Sequence, residues 1–216
     1  MEDSGMVKCY RLDEVATIEE GKIIPSKKYF TNIGVPLITA DNLKKLMLDG
    51  DIEQLPKVNI TFGKHCKCVP VPAKTIILTK ANLKDTNKYI YQSETELCIA
   101  SEIVAIIPNE TIVLSDYLLH FLRWYKMNKE WQHLYHIPIN LPMIDIQNKI
   151  VQTLNTIQLL LKSKEPLLTA VEGLPQHFDN VSVQVEHHSK SLHYGFQQAQ
   201  YLYNHMLYKI FKGEHK

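Results

Sequence analysis

Hydrophobic and polar positions alternate in short, uneven blocks over the first two thirds of the chain. Tyr10, Leu12, Val15 and Ile18 carry strand or short-helix spacing across residues 10–18, and Glu19-Glu20-Gly21 reads as a turn. Residues 23–30 read as a polar loop. Residues 33–40 read as a strand broken at Pro36, and Asp41 as the cap of a short helix ending near Leu48. Residues 57–62 alternate like a strand, Val69 to Lys74 is a Pro-rich turn, and residues 75–79 are β-branched and apolar like a buried strand. A second apolar run covers 97–107 and stops at Pro108-Asn109. Ser115 and Asp116 then predict the cap of a helix from Tyr117 to about Lys126.

The period changes after Pro142. Ile150, Leu154, Ile157 and Leu161 recur at alternating steps of four and three, and Leu168 and Val171 keep that register. Polar Gln147 and Lys164 take two slots of the seam. Pro166 predicts a kink or a restart, and Gly173 and Pro175 end the segment. Residues 176–191, with His187 and His188, read as a polar loop. Leu192, Phe196, Ala199, Tyr203, Met206 and Ile210 then predict a second amphipathic helix. The expected architecture is α+β: a globular mixed domain over 1–142, then long helices over 143–216 pairing as an antiparallel, coiled-coil-like hairpin, or with a partner's helices. No internal repeat or low-complexity tract interrupts it.

Composition narrows the class. The 216 residues are 45% hydrophobic, enough to build a core and too many for wholesale disorder. No apolar run is long enough to span a bilayer, and residues 1–10 have no apolar signal region. Cys9, Cys66, Cys68 and Cys98 are irregularly spaced and do not form a disulfide framework. Together these features predict a cytoplasmic chain with no membrane association. The net charge of +1 neither requires nor rules out nucleic acid, because phosphate binding depends on local basic faces.

Signatures of catalysis are sparse. The chain has 8 glycines, and none forms a dinucleotide or phosphate loop. It lacks a Pro-Pro pair, hence the Asn/Asp-Pro-Pro-aromatic loop of a methyltransferase, and has no Gly-x-Ser-x-Gly elbow. His65, Cys66 and Cys68 form the densest metal-like group, but a second pair of ligands is missing, so ordinary thiols are the favoured reading. His187 and His188 read as solvated, and His120 as a helix-surface or core-edge residue. No catalytic residue, metal or cofactor is expected.

Four segments in order carry a resemblance. The first contains Leu12-Asp13-Glu14-Val15-Ala16, Gly21, Pro25-Ser26, Gly34-Val35-Pro36-Leu37-Ile38 and Asp41-Asn42-Leu43. The second is Val71-Pro72-Ala73-Lys74-Thr75-Ile76-Ile77-Leu78-Thr79. The third runs from Ile99 through Ser101 to Ile107-Pro108, followed by Tyr117-Leu118-Leu119. The fourth is Ile137-Pro138-Ile139-Asn140-Leu141-Pro142-Met143 with Gln147, Lys149, Ile150 and Val151, which leads into the seam. Together they resemble the specificity (S) subunit of type I restriction-modification systems, from about Leu12 to Leu174. Lys80 to Lys84, Lys129 to Gln132 and the segment from Pro175 onward depart from that pattern.

The resemblance implies a non-catalytic, half-length specificity subunit: one target-recognition domain plus a helical spacer. It implies double-stranded DNA as ligand, with modification (methyltransferase) and restriction subunits as partners that methylate adenine and cleave. A homodimer through the helices would read a palindromic split site. Helix length would set the gap between half-sites, so an inserted heptad is expected to lengthen it. Phosphate candidates are Lys27, Lys28, Lys80, Lys84 and Lys88, and base-edge candidates are Asn42, Asn82 and Asn87, with Tyr29, Thr39 and Lys64 in the same DNA-facing loops. Any one of them also fits a solvated surface side chain. The pairing seam would use Ile150, Leu154, Ile157, Leu161, Leu168, Phe196, Tyr203 and Met206. A stand-alone DNA-binding regulator or restriction decoy is the nearest alternative. An enzyme of unrecognised type or a purely structural interaction protein would carry the same helices.

Overall fold

The computed structural model describes residues 7–60, 68–81, 89–126, 130–172 and 179–212. It divides into two compact units, Met1–Gln147 and Asn148–Lys216.

The first unit opens with β1 (Lys8–Arg11), one helical turn α1 (Leu12–Val15) and β2 (Ala16–Glu20). The ambiguous spacing of residues 10–18 thus resolves into strand, turn and strand. Leu12 and Val15 both enter the core, and the Leu12 amide donates to the Ile137 carbonyl at 2.9 Å. Next come β3 (Phe30–Thr31), β4 (Val35–Ile38), α2 (Ala40–Asp49), β5 (Lys57–Val58), β6 (Val69–Val71), β7 (Ile76–Thr79) and β8 (Tyr91–Gln92). β9 (Leu97–Ile99), β10 (Ile103–Pro108), α3 (Ser115–Trp124) and β11 (Pro138–Leu141) complete the unit.

Three sheets result, in the orders β1-β11, β2-β10-β7-β8 and β3-β5-β4-β9-β6. Strands β4 and β9 pair in parallel, Leu37 with Cys98 and Ile38 with Ile99; the other pairings between strands are antiparallel. The β7 strand, which has no polar residue until Thr79, is buried at Ile76, Ile77 and Leu78. This is the burial expected of a strand covered on both faces. Ile38, Leu43, Ile77, Leu97, Ile99 and Ile103 join one core cluster, and Leu37, Val58, Cys98 and Ala100 form a second.

Several expectations need correction. The run over 97–107 is two strands separated by a turn at Ser101-Glu102, which lets β9 and β10 enter different sheets. β5 ends at Val58 rather than near 62. Thr39, not Asp41, caps α2, and Asp41 sits in the first turn, where a carboxylate suits the helix dipole. α3 already includes Ser115 and Asp116, follows Leu114 as its cap residue, and ends at Trp124. His120 on α3 is 1% exposed, a core residue and not a surface one.

Two glycines mark close backbone approaches. A Cβ on Gly21 would lie 1.8 Å from the Ala100 carbonyl oxygen, and one on Gly34 would lie 2.4 Å from that of Val58. No other residue fits at either point without moving a strand.

The second unit consists of two helices, α4 (Ile144–Glu172), whose first turn still belongs to the first unit, and α5 (Asp179–Lys212). α4 runs through residue 166 without a restart. α5 begins thirteen residues before Leu192, so residues 179–191 of the stretch read as a polar loop, including 187 and 188, are helical. Apart from residue 195 it contains no Gly or Pro, and polar side chains do not oppose a helix that has a solvated face. Gln158 Nε2 donates to the Tyr203 hydroxyl at 2.6 Å, joining the two helices. That contact joins the middle of α4 to the later half of α5, as in an antiparallel hairpin.

Leu154, Leu161, Val151, Leu207 and Phe211 are buried, whereas Ile150, Ile157, Tyr203 and Met206 are half-buried. The deepest positions of α5 therefore lie one residue beyond the expected seam. Leu168 and Phe196 lie on these helices, but their side chains fall outside the described residues. No described helix is long and apolar enough to cross a membrane.

Candidate functional site

The segment between β2 and β4 is the most chemically distinctive surface of the first unit. Residues 22–34 contain Lys22, Lys27 and Lys28 and no carboxylate. Their backbone is held at many points. Gly21 N–H donates to the Ile103 carbonyl at 3.0 Å, and Lys22 bridges to Ala100. Pro25 is buried, and a 3-10 turn, Lys27–Tyr29, closes with Tyr29 N–H on the Ser26 carbonyl at 3.0 Å. The Asn59 amide donates to the Tyr29 carbonyl at 3.1 Å, and Phe30 and Thr31 pair with Val58 and Lys57.

Lys27 and Lys28 both point to solvent, and the Lys28 ammonium lies 5.0 Å from the centre of the Tyr29 ring. Such a pair leaves the cation hydrated and available to an anion. A cavity of about 400 Å³ opens beside this segment, lined by Ile24, Phe30, Thr39, Asp41, Lys45 and Asp51 among others.

The other sequence candidates have different fates. Thr39 and Asn42 form a capping box: Thr39 N–H donates to Asn42 Oδ1 at 2.7 Å, and Asn42 N–H donates to Thr39 Oγ1 at 3.3 Å. Asn42 Nδ2 also donates to the Leu37 carbonyl at 2.8 Å, tying α2 to β4. Both ends of the Asn42 amide are engaged within the unit, so a base edge would have to share them. The Thr-x-x-Asn spacing was the available signal.

Lys80 lies at the end of β7. Its ammonium pairs with Glu20 at 2.8 Å and lies 5.2 Å from the centre of the Trp131 ring. Contact with a phosphate would have to compete with that carboxylate. Lys64, Asn82, Lys84, Asn87 and Lys88 lie outside the described residues, as do His65 and Cys66. Among the described residues no group of three or more metal-ligating side chains converges. Cys68 and Cys98 do meet, with sulfurs 3.0 Å apart, a proximity that their thirty-residue separation concealed.

Two further polar nodes escaped the sequence reading. Gln147, fully buried, accepts from Leu114 N–H at 2.9 Å through Oε1. Its Nε2 donates to the Ile112 carbonyl at 3.0 Å and to the Pro142 carbonyl at 2.9 Å. It is thus a polar tie within the first unit, not a slot in the helical seam. Glu110 accepts from Ser115 N–H at 3.0 Å and pairs with Lys74 at 3.4 Å. Burial by itself would raise the Glu110 pKa, but hydrogen bonds from Ser115 and the Lys74 charge outweigh it and hold the carboxyl below its ordinary range.

Comparison with known proteins gives this arrangement a context. No curated protein sequence matches the chain. Among solved structures, the HsdS subunit from Thermoanaerobacter tengcongensis aligns over 100% of this chain and 47% of its own, with 18% identity and a TM-score of 0.53. A type I restriction-modification S subunit from M. genitalium aligns over 81% of this chain and 45% of its own, with 10% identity and a TM-score of 0.48. The chain therefore spans about half the length of the subunits it matches, and the first of these likenesses establishes a shared fold. A family model described as the type I restriction modification DNA specificity domain matches residues 5–172, which take in every described residue of the first unit and all of α4. On that match the chain belongs to the family of type I restriction-modification DNA specificity domains, whose members are DNA-recognition components of those systems.

Proposed function

We propose that this chain reads one half of a split DNA target and so directs adenine methylation and DNA cleavage by separate modification and restriction subunits, catalysing neither step itself. The observation that carries the reading is the family match across residues 5–172, which joins the recognition unit to α4 in one continuous element. Lys27 and Lys28 contact phosphate from their anchored turn, with Tyr29 beside them. Lys64, Lys84 and Lys88, with Asn82 and Asn87, extend the contact. Lys80 joins them only when DNA displaces Glu20. Asn42 and Thr39 support the surface from beneath.

Two copies pair through their helices and present two recognition units to a palindromic split site. The outer surface of the helices supports this. Tyr194, Tyr201 and Tyr208 recur every seven residues on α5 and are 64%, 63% and 39% exposed. Leu202 and, on α4, Leu159 are exposed as well. Apolar side chains at heptad spacing on a solvated helix are the material of a further helix contact.

Co-expression with the cognate modification subunit, followed by size-exclusion chromatography with light scattering, tests the assembly. A complex with two copies of this chain is expected, and Tyr201→Glu should reduce the self-association. DNA binding by the chain with no modification complex would replace this reading with that of a regulator or decoy.

A further inference from the structure

The apolar surface of the first unit is unevenly distributed. Among its described residues the exposed large hydrophobics are Val7, Ile23, Ile24, Phe30, Ile33 and Met143, and four of these six fall within eleven consecutive positions. Ile33 is 87% exposed, more than any other large hydrophobic side chain among the described residues. It stands with exposed Asn32 at the tip of the connection from β3 to β4. The connection is short and held in place: Ile33 N–H donates to Thr31 Oγ1 at 3.2 Å, and Gly34 packs against the Val58 carbonyl where a side chain would not fit. A single exposed isoleucine is unremarkable on a protein surface. An exposed isoleucine on a braced tip, next to an asparagine and five residues after a lysine pair, is a side chain displayed for contact.

The surroundings favour DNA over a protein partner. Lysines and no acids across residues 22–34 give the segment a positive field, which suits a polyanion. Asp41 and Asp51 line the adjoining cavity and would repel a phosphate there, so the backbone contact falls to the exposed Lys27 and Lys28. The tip is then free to enter a groove. In the major groove, thymine is marked by its C5 methyl group, which apolar side chains recognise, and adenine by its N6 and N7, which asparagine recognises.

We infer that the tip of this connection is a base-reading site: Ile33 contacts a thymine methyl and Asn32 the edge of an adjacent or paired adenine, while Lys27 and Lys28 hold the flanking phosphates. The inference rests on the proposed function and goes beyond it by naming the base type and the side chains that read it. The anchored backbone keeps the ordering cost of that contact low.

The test uses the full chain in complex with its modification subunit. Selection from random duplexes first defines the motif of the wild type and of Ile33→Ser and Asn32→Ala, both at exposed positions that leave the core untouched. Each thymine of the motif is then replaced by deoxyuridine, which removes only the methyl. Wild type should lose about fourfold in affinity at one position, the value of one buried methyl group. Ile33→Ser should be indifferent to that replacement while keeping the rest of the motif. Asn32→Ala should lose about tenfold discrimination at an adenine within one base pair of it.

If the wild type selects no motif, the proposed function falls and this inference falls with it. If it selects one but every deoxyuridine replacement affects wild type and Ile33→Ser alike, this inference alone is overturned. Loss of the modification subunit from Ile33→Ser, with base preference unchanged, would overturn it too and make the tip a protein contact.

Discussion

Gln147 offers the sharpest test of how the recognition unit is built. Replacing it with leucine keeps the approximate volume and removes every hydrogen bond of the side chain. Three backbone groups then lose their partner: the Leu114 N–H and the carbonyls of Ile112 and Pro142. A buried group left unsatisfied costs about 1–3 kcal/mol; these three are part-buried and take the low end of that range, so the loss should be about 3 kcal/mol. For a chain of this size that corresponds to a fall in melting temperature of about 6–12 °C.

Urea unfolding of Gln147→Leu followed by tryptophan fluorescence measures the change, because Trp124 and Trp131 both lie in the first unit. Gln147→Glu adds a check of sign. One carboxylate oxygen can still accept from Leu114, but the other would face two carbonyls in a buried site, which raises the folded-state pKa above the unfolded value of about 4.3. That variant should be nearest to wild type below about pH 4 and lose stability as pH rises through its elevated pKa. A loss below about 1 kcal/mol for Gln147→Leu, or a pH trend of the opposite sign for Gln147→Glu, would refute the reasoning.

Other consequences follow from single contacts. Because Glu110 titrates below its ordinary value of 4.5, its contribution to stability is present above that pH and fades as pH falls through the depressed pKa. Glu110→Gln should therefore be slightly less stable than wild type at neutral pH and converge with it under acid, as read by thermal unfolding across pH 3–7. The Cys68 and Cys98 sulfurs, 3.0 Å apart, need to approach by only about 1 Å to bond. Oxidised glutathione should remove two thiols and link those two residues in a peptide map; full retention of free thiols would contradict the geometry.

The sequence made the short-range features legible. The unbroken apolar run Ile76-Ile77-Leu78 could only be a buried strand, and the four-three spacing through Leu154 and Leu161 could only be a packed helix. Pairing between distant segments was not legible. Nothing local says that Leu37 in β4 will lie parallel beside Cys98 in β9, since that register comes from the cores on either side. Gln147 misled for the same reason. Its spacing fits the helical seam, but its partners lie more than thirty residues earlier and one turn before the helix. Residues 179–191 differ for another reason: their polar composition suggests a loop, yet they contain no helix breaker and form the start of α5.

Charge and loop position suggest exposed lysines at Lys27 and Lys28, and both side chains are exposed. The capping role of Asn42 was visible only as a weak spacing with Thr39. The display of Ile33 depends on how Gly34 packs against β5, which no pattern of hydrophobic residues reveals.

The central claim, that this chain supplies sequence specificity to a modification subunit, is tested most directly by mapping methylated adenines in cells that express the modification subunit with and without it. Methylation at one split motif that appears only when the chain is present, and moves or relaxes when the residue 22–34 segment is altered, is the predicted result. Methylation of the same motif in its absence, or none in its presence, would contradict the account.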